Sequence, residues 1–352
     1  MVVACVAMTG AAAMPAAGVT TVVADNLNNP RGVTIAPDGA VYVAEAGSAG
    51  PTCVGEGEQE ACFAASGSIT KVSGGVVSRP VRGLFSAGGR DGSFTTGPDG
   101  VAVTANGSIY IAMTASGECA PLPRGVPAAL RLQAGRLLRF GTAGRLRRVA
   151  NIAALECRSN PDGTDRNSNP YGVLALGGGR VVVADAGGNT LVDVTGRRAR
   201  VSTVFPVAQG RQFVPTSVVL GPDGARYVGG LDEGRGVGKA RVFRVAPGGK
   251  PSVYATGFTN ITGLAFGPDG SMYVTQLTTG GLQSQKPGGA VVRVAPDGTR
   301  TTLGTGELFF PAGAAVDASG AVYVSNWSVL PGKAAPAGPF TGRNGQLVRI
   351  TQ

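Results

Sequence analysis

The chain has 352 residues, of which 15% are charged and 43% hydrophobic, with 58 Gly, 23 Pro and no His. That much Gly and Pro disfavours a helix bundle or coiled coil, because both residues weaken helix interiors, and the hydrophobic content excludes a disordered chain. The missing His removes Ser-His-Asp and Cys-His catalysis and His-ligated zinc, while the net charge of +10 fits loose attraction to anionic envelope polymers or lipid headgroups rather than the aromatic-interleaved basic stripe of a nucleic-acid reader.

Residues 1–18 read MVVACVAMTGAAAMPAAG, and the first charge is Asp25. This stretch resembles the apolar part of a secretory signal without its basic n-region, with Ala11–Ala13 as a cleavage option. Val2–Cys5 also has the form of a lipobox, which would leave Cys5 lipidated. Gly10, Pro15 and Gly18 interrupt any membrane span. Residues 19–352 then form one exported domain, extracellular or periplasmic, and peripheral association with a membrane stays open.

From residue 32 onward one line repeats six times. It begins at Gly32 (GVTIAPDGAVYVAE), Gly100, Gly172, Ser217, Gly263 and Gly313, at intervals of 68, 72, 45, 46 and 50 residues. Each copy is two short apolar runs around a turn, for which Pro-Asp-Gly is well suited. A third run follows each pair, from Gly67-SITKV to Gly345-QLVRI, and a more polar fourth follows the first five. Four antiparallel strands repeated radially describe a six-bladed β-propeller, all-β, with insertions in the first two units. The sixth unit lacks its fourth strand. Thr20–Leu27 supplies one, so the N-terminal strand is expected to pair with Gly345–Ile350 and close the ring.

In such a blade the first-to-second and third-to-fourth turns lie on one face, and these are short. The other face carries the long loops, including 46–66, 114–134 and 327–344, and the crossovers 85–98 and 151–170. Function is expected there. Setting aside Cys5, the four cysteines Cys53, Cys62, Cys119 and Cys157 all fall on this face, and an even number in an exported chain predicts two disulfides. Cys53–Cys62 within one loop and Cys119–Cys157 between neighbouring blades suit the geometry; the two other pairings stay open.

Aligning the repeats brings Arg31, Asp99, Tyr171, Thr216, Thr262 and Ala312 to the mouth of the central channel, with Glu45, Met113, Asp185, Gly230, Gln276 and Asn326 ending the second strands. Carboxylates and amides at Glu45, Asp185 and Asn326 make a candidate Ca²⁺ or Mg²⁺ site. The plainer alternative is a hydrated polar funnel in which Arg31 neutralises a carboxylate. Glu56, Glu58 and Glu60 read as a solvated acidic tip, and Asn160, Asp162, Asp165, Asn167 and Asn169 as an oxygen-rich crossover that suits either Asx-turns or calcium. Trp327 could stack on a ligand or pack beneath its loop.

Leu27-NNPRGVTIAPDGAVYVAEAG, the Cys53–Cys62 loop with Gly67-SITKV, Asn160-PDG with Ser168-NPYGV, Val182-VADAGGN and Tyr254-ATGFTNITGLAFGPDG together resemble the ScyD/ScyE family of exported NHL-like, TolB-like six-bladed propellers, over roughly residues 20–350. The resemblance implies a fold and no agreed catalytic residues. Three functional readings follow. The first is a monomeric binding or scaffold module that takes a small molecule or an anionic envelope polymer on its long-loop face. The second is a divalent-metal-dependent lactonase- or esterase-like hydrolase with its site in the funnel. The third, a quinone-dependent sugar dehydrogenase, would need a histidine that the chain lacks.

Overall fold

In the computed structural model, residues 18–48, 50–56, 60–114, 119–232, 236–284, 287–334 and 338–351 are described. Residues 1–17 of the signal-like stretch, including Cys5, and Glu58 lie outside the described residues.

The chain folds into six sheets arranged as blades in a ring. Blade one is β2 (Pro30–Ile35), β3 (Val41–Glu45), β5 (Ala61–Ser73) and β6 (Val76–Gly88), with an added short strand, β4 (Thr52–Val54), on β5. Blade two is β7 (Pro98–Val103), β8 (Ile109–Met113), β9 (Arg136–Phe140) and β10 (Leu146–Asn151). Blade three runs from β11 (Pro170–Gly177) through β12 (Arg180–Asp185) and β13 (Thr190–Thr195) to β14 (Arg198–Val204). Blade four comprises β15 (Pro215–Leu220), β16 (Arg226–Gly230), β17 (Ala240–Val245) and β18 (Pro251–Phe258). In blade five the strands are β19 (Ile261–Phe266), β20 (Met272–Gln276), β21 (Ala290–Val294) and β22 (Arg300–Leu303). Blade six has β23 (Ala314–Val316), β24 (Val322–Asn326) and β25 (Gly345–Thr351) from the C-terminus, and β1 (Val19–Leu27) from the N-terminus.

The ring closes as the repeats predict. β1 pairs antiparallel with β25, Thr20 opposite Ile350 and Leu27 opposite Gly345. Leu27 is fully buried against Val33, Val43 and Leu347, so the closing strand also contributes to the core.

Second strands do not alternate apolar and polar, because neighbouring blades cover both of their faces. All five residues of β8 (Ile-Tyr-Ile-Ala-Met) and of β3 are buried. The fourth strands face outward: β18 buries only Phe258.

The glycine that opens most repeats has a steric cause. A Cβ on Gly32 would sit 2.7 Å from the Asp99 carbonyl oxygen, and one on Gly263 2.5 Å from that of Ala312. On Gly100 it would run into the Tyr171 carbonyl. First strands of adjacent blades converge on the axis here, and only a residue without a side chain allows their backbones this close. The residue before each glycine is thereby held at the channel rim.

Among the described residues, two helices break the all-β pattern. α1 (Ala128–Arg131) is one turn in the blade-two loop. α2 (Ile152–Ser159) follows blade two, starting at Asn151, whose side chain accepts the Ala154 N–H at 3.1 Å. The crossover 151–170 is expected as a loop; the Asn cap turns its apolar start into a helix. Among the described residues, no helix is long and apolar enough to cross a membrane.

Candidate functional site

The first strands of all six blades surround a central channel of about 280 Å³. Apolar side chains (Val33, Val101, Val173, Leu264) line its walls together with polar groups, among them Asp99, Tyr171, Thr216 and Thr262 at one end. Pro98 opposes Met113 in register, so Asp99 lies at the end of the blade from which the long second-to-third loops leave.

Arg31 and Asp99 come together at this mouth. The Arg31 Nε lies 3.5 Å from Asp99 Oδ1, with 11% and 4% of the two side chains exposed. Arg31 Nη2 donates to the Thr95 carbonyl at 2.8 Å, which fixes the guanidinium from behind. Burial pushes the Asp99 carboxyl up to about 7, and Arg31 offsets only part of that. Burial likewise raises the Tyr171 hydroxyl to about 12, with Arg31 opposing and Asp99 adding to the shift. These three form one constellation. The Thr216 and Thr262 hydroxyls are engaged otherwise, donating to the carbonyls of Ile261 at 2.6 Å and Pro311 at 3.1 Å, and so tie each blade to the next.

The residues ending the second strands perform a shared structural task. Glu45 Oε2 accepts the Asn28 N–H at 2.7 Å, and Asp185 Oδ1 accepts that of Asn169 at 2.6 Å. Gln276 Oε1 accepts the Thr259 N–H at 2.6 Å, and Asn326 Oδ1 that of Phe309 at 2.7 Å. Each acceptor lies 16 or 17 residues after its donor. The repeated position thus brackets the crossover that delivers the first strand of its own blade. The crossover into blade four is held instead by Asn189 of blade three, whose Oδ1 accepts the Phe213 N–H.

Glu45 is fully buried and also receives the hydroxyls of Ser68 and Thr70 and two nitrogens of Arg79, at 2.7 and 3.2 Å. A carboxylate with those donors and a guanidinium counter-ion has little left for a cation. Glu45, Asp185 and Asn326 stand in blades one, three and six, each turned to its own crossover. As placed, the three do not fit one shared metal ion. Among the described residues, the only three Asp, Glu or Cys donors within 4.8 Å of one another are Cys53, Glu60 and Cys62, and those two sulfurs form a disulfide.

Both disulfides, Cys53–Cys62 and Cys119–Cys157, are formed on the long-loop face. Glu60 of the acidic tip pairs with Arg90 at 2.6 Å. Trp327 is 7% exposed and stacks on Phe309 at 4.5 Å, with Phe340 against it; it packs beneath its loop.

Sequence reasoning passed over Glu156. It lies on α2, is 2% exposed, and has an Oε1 without a hydrogen-bond partner. Burial, then Asp185 and Asp162, push its carboxyl up to about 7. Burial also raises Asp185 to about 6, opposed by the donors from Ser168, Asn169 and Gly188. The signal available was its place beside Cys157 in an oxygen-rich crossover, which ties it to the neighbouring blade.

The profile of the SMP-30/gluconolactonase/LRE-like region matches residues 129–334, more than half of the chain. No curated protein matches. Solved structures share the fold at low identity. A protein of unknown function from Bacteroides thetaiotaomicron superposes with a TM-score of 0.60 at 9% identity, covering 95% of this chain and 76% of its own. Regucalcin, a calcium-binding protein from Agrobacterium tumefaciens, gives 0.53 at 12%, covering 95% and 93%. A catalytically inactive virginiamycin B lyase from Staphylococcus aureus with quinupristin gives 0.52 at 13%, covering 95% and 99%.

Proposed function

The chain belongs to the SMP-30/gluconolactonase/LRE-like family, and from that premise we propose that it hydrolyses a small cyclic ester at the channel mouth, with Asp99 as general base. The observation that carries this is the buried Asp99 carboxyl, raised to about 7 and set 3.5 Å from Arg31. A base effective at neutral pH needs a pKa near the working pH. Asp99 takes a proton from water as the water oxygen adds to the ester carbonyl. Arg31 stabilises the charge that develops on the carbonyl oxygen. When the tetrahedral adduct collapses, the carbon–oxygen bond to the ring breaks, and Asp99 returns the proton to the leaving oxygen. A channel of about 280 Å³ stands at the lower limit of ordinary ligand pockets, so the substrate is a small lactone.

The test is a pH-stat assay at pH 7.5 with glucono-δ-lactone and dihydrocoumarin. Wild type is expected to turn over at least one of them, and Asp99→Asn to lose about 10²–10⁴-fold. Equal rates in the two proteins would reject the assignment.

The binding-module reading keeps one observation in its favour. Phe94 is 60% exposed on the long-loop side and meets Phe310 at 6.5 Å, which continues into the Phe340 and Trp327 cluster. Loss of polymer binding in Phe94→Ala, without any change in lactone turnover, would separate the two readings. We also propose, as finer readings, the ScyD/ScyE-like assignment, an exported location suited to the two disulfides, and a monomer that does not take nucleic acid.

A further inference from the structure

We propose that the crossover between blades two and three holds a calcium ion, with Glu156 and Asp185 as its charged ligands and the Asn169 side-chain oxygen as a neutral one. Asp185 pairs in register with Pro170, next to Tyr171, but the proposed ligands do not include Asp99 or Arg31, so the ion is not part of the activity proposed at the mouth.

The two carboxylates converge. A Cβ placed on Gly188 would be 2.7 Å from Glu156 Oε2 and 3.1 Å from Asp185 Oδ2. Both oxygens therefore border one point, and the glycine is what leaves it open. Glu156 is 2% exposed, and its Oε1 meets no donor. Among the described residues no counter-ion pairs with it: the exposed Arg166 influences it less than Asp185 or Asp162 does. Burying a charge without a counter-charge is costly.

A second kind of observation points the same way. The Oδ1 of Asn169 is also buried and unpartnered, although its backbone N–H reaches Asp185 Oδ1 at 2.6 Å. Orphaned acceptors on Glu156 and on the residue whose N–H binds Asp185 are what a hard cation satisfies and what a hydrogen-bond donor would otherwise have filled. Asp185 keeps capacity for it: its Oδ2 accepts the Ser168 hydroxyl at 2.7 Å, while the N–H groups of Asn169 and Gly188 reach Oδ1. Oxygen donors without nitrogen or thiolate select Ca²⁺ or Mg²⁺ over softer metals, and an irregular set from a helix, a strand end and a loop suits the adaptable shell of Ca²⁺ better than octahedral Mg²⁺. The Cys119–Cys157 disulfide fastens the residue next to Glu156, so an ion here would complete the fastening of this crossover.

The experiment uses the whole chain, stripped with EDTA and titrated with Ca²⁺ at pH 7.5 by calorimetry and by thermal melting. Wild type is expected to bind one ion with a Kd of about 10⁻⁴–10⁻³ M and to gain a few degrees in Tm at 10 mM. Glu156→Gln is expected to weaken binding about 100-fold or more, while melting in EDTA at or above wild type because a buried charge is gone. The same Ca²⁺ response is expected in Asp99→Asn. The site is overturned if wild type shows no binding, if Glu156→Gln keeps the response, or if Asp99→Asn loses it. A Glu156→Gln melt in EDTA far below wild type would also overturn it, since Glu156 would then have a protein partner.

Discussion

Arg31 Nε and Asp99 Oδ1 meet at 3.5 Å across the seam between blades one and two, almost wholly out of solvent. Contact with a guanidinium would ordinarily lower a carboxyl, yet Asp99 stands raised to about 7 because burial outweighs the attraction.

Stability should report this shift. The unfolded carboxyl loses its proton near pH 4, and the folded one keeps it until about 7. Between those values the native state binds more protons, so its stability falls as pH rises and levels off above 7. Comparing wild type with Asp99→Asn by urea unfolding from pH 4 to 8 should show wild type losing about 2–4 kcal/mol relative to the variant. A constant difference would contradict the buried placement of Asp99.

Arg79 should matter through Glu45. The carboxylate is fully buried, and Arg79 is its counter-ion. Arg79→Ala leaves that charge uncompensated and is expected to cost about 2–4 kcal/mol in chemical denaturation. Ordinary surface arginines such as Arg200, 81% exposed, should give less than about 0.5 kcal/mol when replaced by Ala.

The ring of close glycines gives a steric prediction. Gly100→Ala pushes a methyl group into the Tyr171 carbonyl and is expected to destabilise by about 1–3 kcal/mol. Because the displaced backbone carries Tyr171, the same variant should also reduce lactone turnover.

Closure of the ring rests on β1. Leu27→Ala should cost about 2–5 kcal/mol, as for a fully buried leucine. Val22→Ala, on the same strand but 54% exposed, should stay within about 0.5 kcal/mol. Deleting residues 19–27 would expose the edge of β25 and should leave little soluble protein.

The architecture was legible because it is repeated. Six copies of a turn flanked by apolar runs, and a sixth unit short of one strand, specify the ring and its clasp without reference to any distant contact. Of the two disulfides, Cys53–Cys62 closes a single loop and Cys119–Cys157 joins neighbouring blades; the sequence favours these pairings without excluding the others. The site was less legible, for a physical reason. Glu45, Asp185, Gln276 and Asn326 share a repeat position rich in oxygen donors, and sequence cannot show whether an oxygen faces an axis or a backbone N–H. In the structure it faces the N–H 16 or 17 residues upstream. Glu156 was missed for the opposite reason: it belongs to no repeat, and only the fold of α2 carries it to Asp185.

The most direct test of the account is the pH dependence of kcat/KM for lactone hydrolysis. If Asp99 is the base, kcat/KM rises with one ionisation near pH 7 and reaches a plateau, and Asp99→Asn loses both the rate and the inflection while melting cooperatively. A wild-type protein that turns over no lactone, or an inflection retained in Asp99→Asn, would contradict it.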